Sequence, residues 1–202
     1  MRGHVLQTYM PRREKPKTKD RKGPSLDQSI KINVGPNGHV LIRPIRPQDA
    51  NLYPAFADRL SIDDRRRRFL YAGPKALTPA LLAQFTQLDS EREMALVAID
   101  ETANELYGVA RFVIDPAGDA AEFAVVIRSD LQQQGLGRAL MQELIKYARS
   151  TKITRLRGSV SADNTAMLHM CRKLGFENRD AGDGSLRQVV LSLRKVRGAR
   201  AS

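Results

Sequence analysis

Apolar positions change their period twice along this chain, and each change marks a change of element. A turn written Gly-Pro-Asn-Gly at 35–38 leads into HVLIRPI at 39–45, which reads as the first strand. Residues 47–88 show helical spacing in short pieces. Ser61 stands before one piece as an N-cap, and Thr78 followed by Pro79 opens another, so three short helices are expected. MALVAID (94–100), ELYGVARFVID (105–115) and AAEFAVVIRS (120–129) then read as strands divided by turn-rich segments at 100–104 and 116–119, and predict an antiparallel meander. Gly137, Leu140, Met141, Leu144, Ile145 and Ala148 return to helical spacing, which predicts an amphipathic helix over 135–150 with Arg138, Gln142, Lys146 and Arg149 outward. A strand at 154–160, a helix capped by Asp163 and final strands near 175–180 and 187–193 complete the pattern. The expected class is α+β: a mixed, mostly antiparallel twisted sheet of about seven strands flanked by helices, without internal repeats.

Composition narrows the function classes. The chain has 202 residues, enough for one ordinary core and some tail. No apolar run exceeds the six residues Met94 to Ile99, too few for a helix to span a bilayer, and the first residues hold no apolar segment of the kind a secretory signal carries. Cys171 is the single cysteine, so no internal disulfide can form and a reducing cytoplasm is the expected compartment. The net charge of +12 suggests a nucleic-acid partner until it is located. Residues 1–25 carry eight Lys/Arg against two acids and residues 187–202 carry five against none, while residues 26–186 are nearly neutral. With aromatics at 5%, that distribution disfavours a folded nucleic-acid reader. Residues 1–38 are read as a basic tail or linker, 39–195 as one domain and 196–202 as a short basic tail; no metal site and no membrane partner are expected.

The chemistry gathers at IRSDLQQQGLGRAL, residues 127–140, where a strand ends, a polar loop follows and a helix begins at Gly-x-Gly. A helix start exposes unpaired N–H groups and roughly half a positive charge from the aligned peptide dipoles, so it suits an anion. Gly135 and Gly137 remove the Cβ atoms that would hold a pyrophosphate away, and Arg138 adds a formal charge. The chain has no Gly-x-Gly-x-x-Gly with a following acid and no Gly-Lys-Ser/Thr, so neither a dinucleotide fold nor an NTPase is supported.

The full spacing Gln132-x-x-Gly135-x-Gly137 resembles the acyl-CoA signature of the GNAT superfamily of N-acetyltransferases, and DNTAMLHMCRKLGF at 163–176 resembles that superfamily's later helix. The resemblance implies that the strand carrying Val125, Ile127 and Ser129 splays from its neighbour and bonds the pantetheine through its backbone. It also implies that Gln132, Gln133, Gln134, Gly135, Leu136, Gly137 and Arg138 hold the pyrophosphate, and that Asn164 contacts the pantetheine arm. One position departs from the pattern: where the superfamily often has a tyrosine able to protonate the leaving thiolate, this chain has Cys171. Asn164, Met167, Leu168, Cys171 and Leu174 share a helix face, so Cys171 is either a small core residue or a thiol near the leaving sulfur. His169 lies roughly 200° around that helix, directed to solvent with Thr165, Arg172 and Lys173, which disfavours a Cys-His nucleophilic pair.

A lysine amine needs help to lose its proton at pH 7, at a cost of roughly 4 to 5 kcal/mol, so a general base is expected. Glu122 is the one acid in AEFAVVIRS; it reads either as a base raised by partial burial or as an outward, solvated glutamate. LIRPIRPQDA, FADRLSIDDRRRRFLYAG, LTPALLAQFTQLDSEREMALVAI, GVARFVIDPAGDAAEFAVVIRSDLQQQGLGRALM and MLHMCRKLGF together resemble the acetyltransferase domain of Pat-type bacterial protein lysine acetyltransferases. In that family a glutamate on this strand is the base and the acceptors are lysines of proteins, notably acyl-CoA synthetases; Glu122 holds the matching place. Arg65 to Arg68 cover every side of their helix and read as a solvated run, or as a run from which Arg65 or Arg68 meets an acidic protein substrate or a phosphate, with Phe69 and Leu70 inward. The expected activity is acetyl-CoA-dependent transfer to protein lysine. The rivals are a small-molecule amine acetyltransferase and a non-enzymatic acyl-CoA sensor.

Overall fold

In a computed structural model, residues 29–34, 38–69, 77–182 and 184–193 are described. The strands are β1 (Ile30–Asn33), β2 (His39–Pro44), β3 (Glu93–Asp100), β4 (Glu105–Ile114), β5 (Ala120–Ile127), β6 (Arg155–Ser161), β7 (Glu177–Asp180) and β8 (Leu186–Ser192). They form one sheet in the order β1-β2-β3-β4-β5-β6-β8-β7, antiparallel throughout except for β5 beside β6. The strand beyond the expected seven is β1, which pairs Ile30 with Ile42 and is followed by the buried Val34. The fold therefore starts before His39. Residues 30–34 belong to the sheet, because Ile30 and Ile32 pack against the core from a segment too short to announce itself by period.

Both faces of the sheet are covered, and this is why residues 94–99 read as an unbroken apolar run: all six are buried. Met94, Leu96 and Ala98 share one core with Ala110, Phe112, Ala121 and Phe123 and with Leu140, Met141 and Leu144 of α4 (Leu136–Ser150). Val97, Ile99 and Val109 face the other way, onto Tyr53 and Phe56 of α1 (Tyr53–Asp58) and onto Leu60. α2 (Ile62–Phe69) starts at Ser61, whose hydroxyl accepts from the Asp64 N–H at 3.1 Å, and α3 (Pro79–Thr86) starts at Thr78, which accepts from the Leu81 N–H at 3.2 Å. α5 (Thr165–Lys173) is capped by Asn164 and not by Asp163: the Asn164 Oδ1 takes the Met167 N–H at 3.2 Å, while the Asp163 carboxylate receives the Ser161 hydroxyl. Asp163 stands one residue too far upstream to reach the same N–H.

One break in the sheet shapes everything that follows. β5 and β6 pair over three positions only, Ala120 with Arg155, Ala121 with Leu156 and Glu122 with Arg157, yet β5 runs on to Ile127 and β6 to Ser161. The next pair in line is Phe123 beside Gly158. A Cβ on Gly158 would lie 2.7 Å from Phe123 Cε1, so the glycine makes room for a ring that is itself held against Phe176 with centroids 5.1 Å apart. The strands diverge from this wedge onward.

Candidate active site

The divergence opens a cleft of about 600 Å³ between β5 and β6, roofed by the start of α4 and one side of α5. Along it, β5 keeps its ladder to β4 through Ile127, while among the described residues no strand pairs with its other edge after Glu122. Backbone groups of alternate residues between Phe123 and Ile127, those not turned to β4, are thereby left for an extended ligand to bond as an added strand would, with the Ile127 carbonyl touched at 3.5 Å by the Gln132 amide.

At the far end, a short 3-10 turn (Ser129–Leu131) leads through Gln132 into α4. Two left-handed residues, Gln133 at φ 62° and Gly135 at φ 85°, turn the chain sharply, and Gly135 is the N-cap with no side chain to occupy the first-turn N–H groups. The two glycines differ in purpose. A Cβ on Gly135 would meet open space but would have to adopt the left-handed backbone; a Cβ on Gly137 would point at Ile127 Cγ1, 3.4 Å away, and Met170 Sδ, 3.7 Å away. Gly135 is thus required by φ as well as leaving space open, and Gly137 borders side chains of the cleft wall.

The loop is anchored from behind by Arg128, which sequence reasoning passed over. Its guanidinium donates to both Asp130 oxygens (2.8 and 2.9 Å) and to Glu105 (2.5 Å), and sits 4.7 Å over the Tyr107 ring. Ser129 anchors it from the side: its hydroxyl donates to Asp64 of α2 at 2.5 Å and accepts from the Ser61 N–H at 2.8 Å.

Of the residues singled out from sequence, Glu122, Val125, Ile127, Gln132, Gln133, Gly135, Gly137, Arg138 and Asn164 line the cleft. Ser129, Gln134 and Leu136 do not; the Ser129 hydroxyl is turned to α2, and Leu136, the first residue of α4, is buried in the main core. Cys171 is 1% exposed, packs in the main core and is absent from the cleft walls, and burial pushes its thiol up to about 12. Of its two readings, the structure supports the small core residue. The α5 side chains that do border the cleft include Met167, Met170, His169 and Lys173. His169 and Lys173 are exposed as expected, but the exposed side of α5 is the cleft's rim, and Arg172 shares a hydrogen bond with His169 Nδ1 at 3.0 Å. Arg65 is exposed and its Nε donates to the Leu60 carbonyl at 3.1 Å; the side chains of 67–69 and residue 70 lie outside the described residues.

Glu122 stands at the narrow end, half-buried, with no hydrogen bond to its carboxylate among the described residues. Loss of solvent holds its carboxyl above the usual carboxylate range; Arg157 opposes that rise and Asp115 adds to it. The arrangement offers a proton acceptor at one end of an unpaired strand edge and an anion site, with Arg138 and Lys173 beside it, at the other. These residues suit a ligand with an extended amide-bearing arm and a pyrophosphate. Among the described residues no helix is long and apolar enough to cross a membrane, and no group of three or more His, Cys, Asp or Glu is placed to hold a metal.

The model of the acetyltransferase (GNAT) family matches residues 60–176, from the start of α2 to the end of the Leu-Gly-Phe turn. An acetyltransferase of Pseudomonas aeruginosa is 38% identical over 154 residues, covering 75% of this chain and 82% of that protein. Among solved structures, the GNAT domain of S. lividans PAT superposes with a TM-score of 0.73 at 21% identity, over 81% of this chain and 96% of that one. The protein yncA of Salmonella typhimurium, solved with its cofactor acetyl-CoA, superposes with a TM-score of 0.61 at 19% identity, over 81% and 99%.

Proposed function

The chain belongs to the acetyltransferase (GNAT) family and is an acetyl-CoA-dependent acetyltransferase, and from that premise we propose that it acetylates side-chain amines of protein lysines by direct transfer, with Glu122 as general base. The observation that carries this reading is the placement of Glu122: a half-buried carboxylate at the point where β5 parts from β6, next to the only stretch of β5 whose edge is unpaired. The free edge at Val125 and Ile127 holds the pantetheine, the N–H groups at the start of α4 with Gln132, Gln133 and Arg138 hold the pyrophosphate, and Asn164, whose Oδ1 is engaged in capping α5, has its amide nitrogen left for the arm. When bound, acetyl-CoA supplies the activated acyl group. Glu122 takes the proton that the acceptor ammonium must lose, directly or through one water, and the wedge of Phe123 over Gly158 keeps the walls apart at that point.

A base must be deprotonated to act, so activity falls as pH drops through the Glu122 pKa, and the raised value moves that acidic limb above the position of an ordinary carboxylate near 4.3. Purified protein incubated with labelled acetyl-CoA and a cell lysate tests the acceptor. Labelled protein bands whose label maps to lysine, and which vanish with Glu122→Gln, are expected. Label confined to small amines would overturn the lysine acceptor, and no transfer at all would overturn the enzyme.

A further inference from the structure

Among the described residues, two buried side-chain polar atoms have no hydrogen-bond partner, and both belong to arginines flanking Glu122: Nε of Arg111 and Nε of Arg157. Buried donors are seldom left unpaired, so two on either side of one carboxylate call for a reason. Register supplies the placement. Glu122 pairs with Val113 on β4 and with Arg157 on β6, and paired residues send side chains to the same face, so Arg157 stands directly beside Glu122; Arg111, paired with Ala124, is its diagonal neighbour. Asp115, just past β4, accepts from Arg157 Nη2 at 3.0 Å and stretches that guanidinium back across the start of β5. Arg111 is occupied with Glu93 at 3.4 Å.

We propose that Arg157, tethered by Asp115 and paired in register with Glu122, is a positioning residue that supplies the cation beside this carboxylate at the point where β5 and β6 part. This rests on Glu122 being the base. The need for such a cation follows from what else faces this carboxylate. Register puts Glu93 of β3 in the same row through Val113, Asp115 follows Val113 on that face, and Glu177 of β7, bonded to Arg179, lies in the row beyond Arg157. Arg43, Arg111, Arg155 and Arg179 are further cations on that face, and each is answered by an acid of its own, Asp49, Glu93, Asp119 and Glu177. Desolvation first, and Asp115 after it, push Glu122 toward its neutral form, in which it cannot accept a proton; Arg157 is the adjacent group acting the other way. Asp115 then does two things, pulling the guanidinium into place and limiting how far the base is acidified. A base left too acidic would be charged but weak.

The test is a set of pH profiles of kcat/KM. Arg157→Gln removes the charge, and its acidic limb should move to higher pH by about one unit, with little change in KM for acetyl-CoA. Arg157→Lys should return most of the displacement. Arg157→Met, which keeps the apolar stem, serves as the neutral variant if the Gln protein does not fold. An Arg157 that matters only for packing would lower the melting temperature and leave the limb where it was, which overturns the proposal while Glu122→Gln still abolishes the limb. If Glu122→Gln keeps the wild-type limb, the base assignment falls and this proposal with it. In the double variant Glu122→Gln/Arg157→Gln the profile should match that of Glu122→Gln alone; a further displacement would show that Arg157 acts through another group.

Discussion

The two ends of the cleft solve different problems with different materials. The end at α4 is made of backbone: first-turn N–H groups, a glycine N-cap and two left-handed residues, held from behind by Arg128 and from the side by Ser129 on Asp64. The end at Glu122 is made of side chains: one carboxylate among Arg111, Arg157, Asp115 and Glu93, brought together by register across four strands. Backbone dipoles do not titrate, so the anion end should work across a wide pH range and fail only when its shape is changed. The proton end should respond to pH and to every neighbouring charge, because a carboxylate taken partly out of water depends on them. Next to Glu122, Phe123 and Gly158 mark where the two strands begin to part.

The sharpest division comes from Glu122→Gln, which keeps shape and removes basicity. Turnover should fall by about 10²- to 10⁴-fold while acetyl-CoA affinity measured by calorimetry barely moves. The residual rate should climb with pH as free amine becomes available without the carboxylate. Wild-type turnover at pH 7 to 8 would remove Glu122 from the chemistry.

At the backbone end, Gly135→Val places a β-branched residue at φ 85°, a conformation that costs an L-residue about 1 to 2 kcal/mol or more. Acetyl-CoA affinity should drop about tenfold, with a KM change that is the same at pH 6 and pH 9. Unaltered affinity in a folded protein would show that the loop does not hold the ligand, and a pH-dependent loss would blur the contrast between the ends.

Gly158→Ala tests the wedge. The added methyl would sit 2.7 to 3.1 Å from three atoms of the Phe123 ring, which is buried against Phe176 and has little room to move. Such overpacking costs about 1 to 3 kcal/mol, visible as a lowered melting temperature. An unchanged melt would mean that the ring yields freely and that the splay has another cause. Cys171→Ala is the smallest expected effect: turnover within about twofold, a barrier change well under 1 kcal/mol. A loss of a hundredfold in a stable protein would bring the thiol back into the reaction in spite of its burial.

What the sequence determined by itself is whatever depends on neighbours a few residues apart. The amphipathic spacing of Leu140, Met141, Leu144, Ile145 and Ala148 predicts α4 and its buried side; the caps at Ser61 and Thr78 predict two helix starts; Gln132-x-x-Gly135-x-Gly137 marks the loop that turns into α4. Glu122, the lone acid of its strand, is a candidate on that ground, which does not choose between a base and a solvated glutamate. Tertiary structure alone decided the rest. β1 is a strand because an edge of β2 was there to pair with it, and Asn164 caps α5 because the chain leaves β6 at an angle that brings Oδ1, and not the Asp163 carboxylate, to the Met167 N–H. The Ser129 hydroxyl turns to Asp64, 65 residues away, a contact that no local spacing announces. The surroundings of Glu122 are the clearest case. Arg157 reaches it through a parallel pairing of β5 and β6 only three residues long, and no local rule of periodicity or capping carries information about a register set by the packing of α4, Phe123 and Gly158.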